Sequence, residues 1–161
     1  MAIKALGYLV IETAQPERWD HFLTQVAGVM RAENAADGAA QYRIDDRPFR
    51  FRIESGAAER LVAAAYEVES EAALAALADA IGRAGRPVET GSAEQCRLRQ
   101  VKAFFRTSDP AGNGLEFFHG DTRDNVAFVS PVGVPGFVTG EMGMGHAVFA
   151  TPSFAETHAF Y

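Results

Sequence analysis

Cysteine is nearly missing from this chain. Cys96 stands alone, so no intrachain disulfide can form, and such sparse usage fits a reducing compartment. Long apolar runs are missing as well. Nothing approaches the roughly 18 residues that a bilayer-spanning helix needs, and no basic segment with an apolar core opens the chain. The expectation is a cytoplasmic protein that does not span a membrane. Basic residues are outnumbered, 15 Lys and Arg against 21 Asp and Glu, for a net charge of −6. Phosphate recognition needs clustered Lys and Arg, which argues against nucleic acid and anionic membranes as partners. One local run, Arg47, Arg50 and Arg52, alternates with Phe49 and Phe51. That period of two reads as the polar face of a strand rather than as a binding patch.

What is present is enough apolar material for a sizeable core: 48% of 161 residues are hydrophobic, ordinary for a globular domain. Residues 3–13 read as a buried strand. Pro16 suits a first helical turn, and Trp19, Phe22, Leu23, Val26 and Val29 follow at helical spacing up to Gly28. Strand-like runs come next at 30–34 with 40–44, then 47–54, then 60–69, punctuated by Asp45-Asp46 and Ser55-Gly56. Ser70 is placed to cap a helix whose apolar stripe is Leu74, Leu77, Ala78 and Ile81 and whose stop is Gly85. Val101–Arg106 and Leu115–His119 read as a hairpin around Ser108–Gly114. Residues 120–140, with Pro131, Gly133, Pro135 and Gly136, read as a linker. The expected class is therefore α+β: two half-modules of strand, helix, strands, each roughly 60 residues, closing one curved mixed sheet because neither half can bury its sheet face alone.

A repeat crosses the linker. Leu6-Gly7-Tyr8-Leu9-Val10-Ile11 recurs as Met144-Gly145-His146-Ala147-Val148-Phe149, at an offset of 138 that also pairs Thr13 with Thr151 and Phe22 with Phe160. Tyr8 in the first copy becomes His146 in the second. The substitution of an imidazole for a phenol in a buried strand suggests that one copy holds structure and the other does chemistry. By the repeat, Tyr161 falls inside what should be the first helix of a second domain, so the chain is expected to be part of something longer. A lone His in an apolar strand is ordinarily a satisfied core residue; the repeat argues for a ligand here. His119, His21 and His158 are expected to be structural or exposed. Cys96 has Arg neighbours that could lower a thiol pKa, but a small, half-buried side chain is the preferred reading.

With this layout, the chain resembles the type I extradiol ring-cleavage dioxygenases of the vicinal oxygen chelate superfamily. The matching stretches are Leu6-Gly7-Tyr8, Tyr42–Asp45, Tyr66-Glu67-Val68, Asp109-Pro110 through Leu115-Glu116, Gly136–Glu141, Gly143–Val148 and His158–Tyr161. Each is weak alone; in order and together they are specific. The resemblance implies a βαβββ pair at 1–120 without catalytic function, a linker at 121–140, and at 141–161 the start of a catalytic domain holding Fe(II) through two His and one carboxylate. It places His146 on the first metal ligand and Val148 on the pocket wall, two residues on along the same face. It implies a catechol-type, dihydroxybiphenyl-like substrate, dioxygen as co-substrate, and a homo-oligomer. Glu116 resembles the position that carries the metal carboxylate in catalytic domains. Its counterpart here is Tyr8, and a phenol with a pKa near 10 is a poor neutral-pH ligand for Fe(II), so the first domain is expected to bind no metal. The other ligands are expected beyond residue 161, leaving this stretch inactive alone. A second reading is a non-catalytic binding or scaffold module of the same superfamily. A third, a glyoxalase or thiol transferase, fits the linker and the repeat less well.

Overall fold

The computed structural model describes residues 3–161. It carries one eight-stranded mixed sheet. In chain order the elements are β1 (Ile3–Thr13), α1 (Pro16–His21), β2 (Met30–Arg31), β3 (Ala40–Arg43), β4 (Phe51–Ser55), β5 (Arg60–Val68), α2 (Glu71–Arg83), β6 (Glu89–Thr90), α3 (Ala93–Arg99), β7 (Val101–Ser108), β8 (Gly114–Asp121) and α4 (Phe154–Phe160). The strands lie in the order β2-β3-β4-β1-β5-β8-β7-β6. The halves mirror each other about the β1–β5 seam, which is antiparallel. In each half the first strand runs parallel to the last, β1 with β4 and β5 with β8. This is the expected pair of βαβββ modules.

The local chemistry of each helix explains where it begins and ends. Pro16 opens α1, and the helix continues as a π-helical turn over Phe22–Val26. The Ala27 amide donates to the Phe22 carbonyl there, and Gly28 leaves with φ +73°. Ser70 caps α2 by accepting from the Ala73 amide at 3.1 Å. At its other end the Gly85 amide reaches the Gly82 carbonyl and the Arg86 amide reaches that of Ile81, a Schellman ending on a left-handed glycine.

The helices α1 and α2 cover one face of the sheet. Trp19, Leu23 and Val29 pack on Ile11, Tyr42 and Ile53, while Leu74 and Ile81 pack on Val68, Phe105, Leu115 and Phe117. The alternate residues point to the other, inner face, where Tyr8, Val10, Phe49, Ala63, Ala65, Phe104 and Phe118 form a third cluster. Burying one such phenylalanine is worth about 1.5–3 kcal/mol. A Cβ at Gly7 would overlap the Phe118 ring, so only glycine lets β1 and β8 close over this cluster.

Three sequence expectations are corrected. The strand expected from residue 47 begins only at Phe51; residues 45–50 form a turn in which the Asp45 carboxylate holds the Arg47 amide and the Arg50 guanidinium. Arg47, Arg50 and Arg52 are not a solvent face. All are buried and ion-paired, to Glu67 and Asp121, to Asp45, and to Asp37 and Glu54. Arg52 lies on β4 and is turned into the sheet, while Arg47 and Arg50 are drawn inward from the turn before it. The third correction is the repeated segment: Met144–Phe149 forms no strand. Only Gly143 bridges to Leu6, and the Met144 amide donates to the Leu6 carbonyl at 3.1 Å. Beyond that point Gly145 takes φ +87°, and no neighbouring strand among the described residues supplies a ladder for the backbone.

Residues 122–153 cross the molecule with no strand or helix of their own, but they are held down. Arg43 pairs with Asp124 and donates to the Val126 carbonyl at 2.6 Å. The Asp124 amide donates to the Asp46 carbonyl at 2.7 Å, and Phe137 and Met144 pack on the α1 side of the core. Further on, α4 lies against the α2 side, with Phe149 and Phe160 on the apolar cluster and the Tyr161 hydroxyl on Asp109. The two copies share one local device. The Gln15 amide donates to Thr13 Oγ1, and the Ser153 amide to Thr151 Oγ1, so the same turn precedes α1 and α4. Among the described residues, no helix is long and apolar enough to cross a membrane.

Candidate functional site

The three central strands bring three residues into one row on the inner face. Tyr8 on β1 stands opposite Ala65 on β5, and Ala65 stands opposite Glu116 on β8. All are buried, Ala65 and Glu116 completely. Tyr8 Oη donates to Glu116 Oε2 at 2.6 Å, and its ring is packed between Phe49 and Phe118, with centroids 5.0 and 5.2 Å away.

A buried carboxylate needs compensating charge, and Glu116 has two cations. Arg99 Nε lies 3.2 and 3.1 Å from its two oxygens, with Nη2 at 3.0 Å from Oε1. Arg106 Nε adds a contact of 2.9 Å. Burial alone would push the Glu116 carboxyl up. The charge and hydrogen bonds of Arg99, with those of Tyr8 and Arg106, outweigh it and hold the group below the ordinary carboxylate range. Burial, and then the charge and hydrogen bond of Glu116, hold the Tyr8 phenol well above its ordinary value. At neutral pH the row therefore contains a neutral phenol, a carboxylate and two guanidiniums.

The Tyr8–Glu116 partnership follows the sequence expectation, but sequence reasoning missed Arg99, Arg106 and α3 altogether. A signal for α3 was available. Ser92 and Gln95 form a reciprocal capping box, at 3.2 and 2.8 Å, and the S-x-x-Q spacing is visible in the chain. Nothing in the sequence says that the last residue of so short a helix reaches Glu116. Gln100, with φ +54°, ends α3 immediately after Arg99, and its carbonyl receives the Thr122 amide at 3.2 Å.

The other candidates sit apart from this row. His146 is exposed, off any strand, and Val148 is 84% exposed. Cys96 is half-buried against the inner cluster, as its preferred reading held. His21 and His158 are exposed and His119 is half-buried. No three His, Cys, Asp or Glu side chains among the described residues come together as a metal-holding group. The residues present do not fit an iron centre: His146 has no companion ligands here, and the carboxylate of the row is taken up by arginines.

Comparison with known proteins matches this architecture. A family profile described as dihydroxybiphenyl dioxygenase BphC D1 matches residues 6–56. A biphenyl-2,3-diol 1,2-dioxygenase from Paraburkholderia xenovorans is 37% identical over 100% of this chain and 54% of its own length. An iron-dependent extradiol dioxygenase from Rhodococcus jostii is 35% identical over 100% of this chain and 53% of its own. Among solved structures, BphC, a halotolerant catechol dioxygenase, superposes with a TM-score of 0.94 at 26% identity, over 99% of this chain and 54% of that one. The chain spans about half the length of the curated relatives it matches.

Proposed function

Since the chain shares sequence and fold with the N-terminal half of the extradiol ring-cleavage dioxygenases, we propose that it is the first part of an Fe(II)-dependent enzyme that opens a catechol-type, dihydroxybiphenyl-like ring with dioxygen. The observation that carries this reading is the 37% identity along the entire chain to a biphenyl-2,3-diol 1,2-dioxygenase. Iron is named in the Rhodococcus relative, and the exchange of Tyr8 for His146 between the repeats supports assigning the metal to the second copy rather than the first.

In this reading residues 1–120 are a non-catalytic scaffold, 121–140 join it to the catalytic half, and 141–161 begin that half. His146 is the first iron ligand, and Val148 lines the substrate pocket. A facial set of two His and one carboxylate then takes its other members from the rest of the whole protein. The same reading makes the whole protein a cytoplasmic homo-oligomer.

The test uses the whole protein loaded with ferrous iron. It should convert 2,3-dihydroxybiphenyl to a yellow ring-opened product, followed by visible absorbance. His146→Ala should abolish the colour while leaving the circular dichroism of the fold unchanged. Full activity in a His146→Ala protein would sink the assignment.

A further inference from the structure

Tyr8, Ala65 and Glu116 stand side by side on adjacent strands, and Tyr8 is the residue whose repeat is His146. The row is therefore the first half's counterpart of the metal position proposed for the second, and in that respect the inference rests on the proposed function. The chemistry of the row is wrong for a metal ion in a specific way. Its carboxylate survives, fully buried, but the charge opposite it comes from the protein itself.

Arg99 presents Nε and Nη2 to both oxygens of Glu116, and its guanidinium carbon lies 5.5 Å from the Phe104 ring centroid. The Arg99 side chain is only 4% exposed. A capping box starts α3, and a left-handed residue stops it directly after Arg99. The helix thus delivers one guanidinium to Glu116, at 3.0 Å, with Glu54 Oε1 farther off at 3.9 Å. Arg106, whose side chain is 31% exposed, touches the same carboxylate from the rim.

We propose that Arg99 is the resident cation of a latent divalent-metal site. Its guanidinium neutralises the carboxylate that a metal would otherwise hold, and it closes the first half to first-row divalent cations. The row keeps the strand geometry of a ligand set: with imidazoles at positions 8 and 65 and no guanidinium, it takes a metal.

The experiment is a Co(II) titration in a His146→Ala background, which removes the only other assigned ligand. The background protein should show no ligand-field absorption in the visible. The further variant Tyr8→His, Ala65→His, Arg99→Ala, Arg106→Ala, which removes both guanidiniums from Glu116, should bind one Co(II) with visible ligand-field bands, and its melting temperature should rise with metal. A folded variant that stays colourless, or a background protein that binds Co(II) stoichiometrically, overturns the proposal.

If the multiple variant does not fold, Arg99→Ala alone is read by chemical rescue. Millimolar methylguanidinium should restore its folded signal or raise its melting temperature, and neutral methylurea should not. Equal effects of the two additives, or no effect of either, overturn the proposal. None of these readouts is enzymatic activity, so they fail separately from the His146→Ala test on the whole enzyme.

Discussion

Tyr8 and Glu116 are joined by a hydrogen bond of 2.6 Å inside an apolar cluster, and its effect on stability is open to direct measurement. A buried hydrogen bond to a charged group is worth about 1.5–3 kcal/mol. Tyr8→Phe should lower the unfolding free energy by about that amount in urea titration at pH 7. The pH dependence has a definite sign. The folded phenol titrates above its unfolded value near 10, so its contribution is fully present below about pH 10 and is lost as pH rises toward the folded value. Tyr8→Phe should flatten the alkaline fall in stability; an unchanged alkaline slope would place that titration elsewhere, at Tyr42, Tyr66 or Tyr161, which are also shifted upward. At this scale the sequence identified Tyr8 and Glu116 as partners through the repeat and the resemblance. It could not identify Arg99, because an arginine is usually exposed, and only the closed sheet makes this one a counter-ion.

The elements that sequence reading placed well are those with their own start and stop signals. The cap on α2 is local, so its loss should be local too. Ser70→Ala removes the acceptor for the Ala73 amide and should cost about 1 kcal/mol, measured by thermal unfolding, with the sheet unchanged in its circular dichroism. A cost near zero would mean that water replaces the cap. The elements placed badly depend on distant partners. β6 has two residues and exists only because β7 lies beside it. The arginine-bearing run at 47–54 has a strand's period, but Asp45 draws its first half into a turn. Met144–Phe149 repeats the sequence of β1 without its structure, since β1 owes its form to ladders with β4 and β5, and the second copy's backbone, among the described residues, pairs at Leu6 alone.

At the scale of the molecule, the buried arginines tie the irregular crossing segment to the sheet. Arg43 is nearly inaccessible and holds both Asp124 and the Val126 carbonyl. Arg43→Ala should leave the helix and sheet content intact but free residues 122–126. Trypsin should then cut after Arg123, whose side chain is half exposed, several-fold faster than in the parent, as followed by mass spectrometry of the fragments. An unchanged cleavage rate would mean that the Asp124–Asp46 backbone bond and the packing of Phe137 hold the segment without Arg43.

The sequence by itself determined the two-half architecture, the helix on each half and the distinction between Tyr8 and His146, because periodicity, caps and repeats are written in neighbouring residues. Only the tertiary structure decided which face the arginines occupy, where Arg99 points and that Glu116 is already neutralised. Those outcomes depend on strands far apart in the chain closing over one buried carboxylate, and a buried charge takes whichever partners the closed sheet brings within hydrogen-bonding distance.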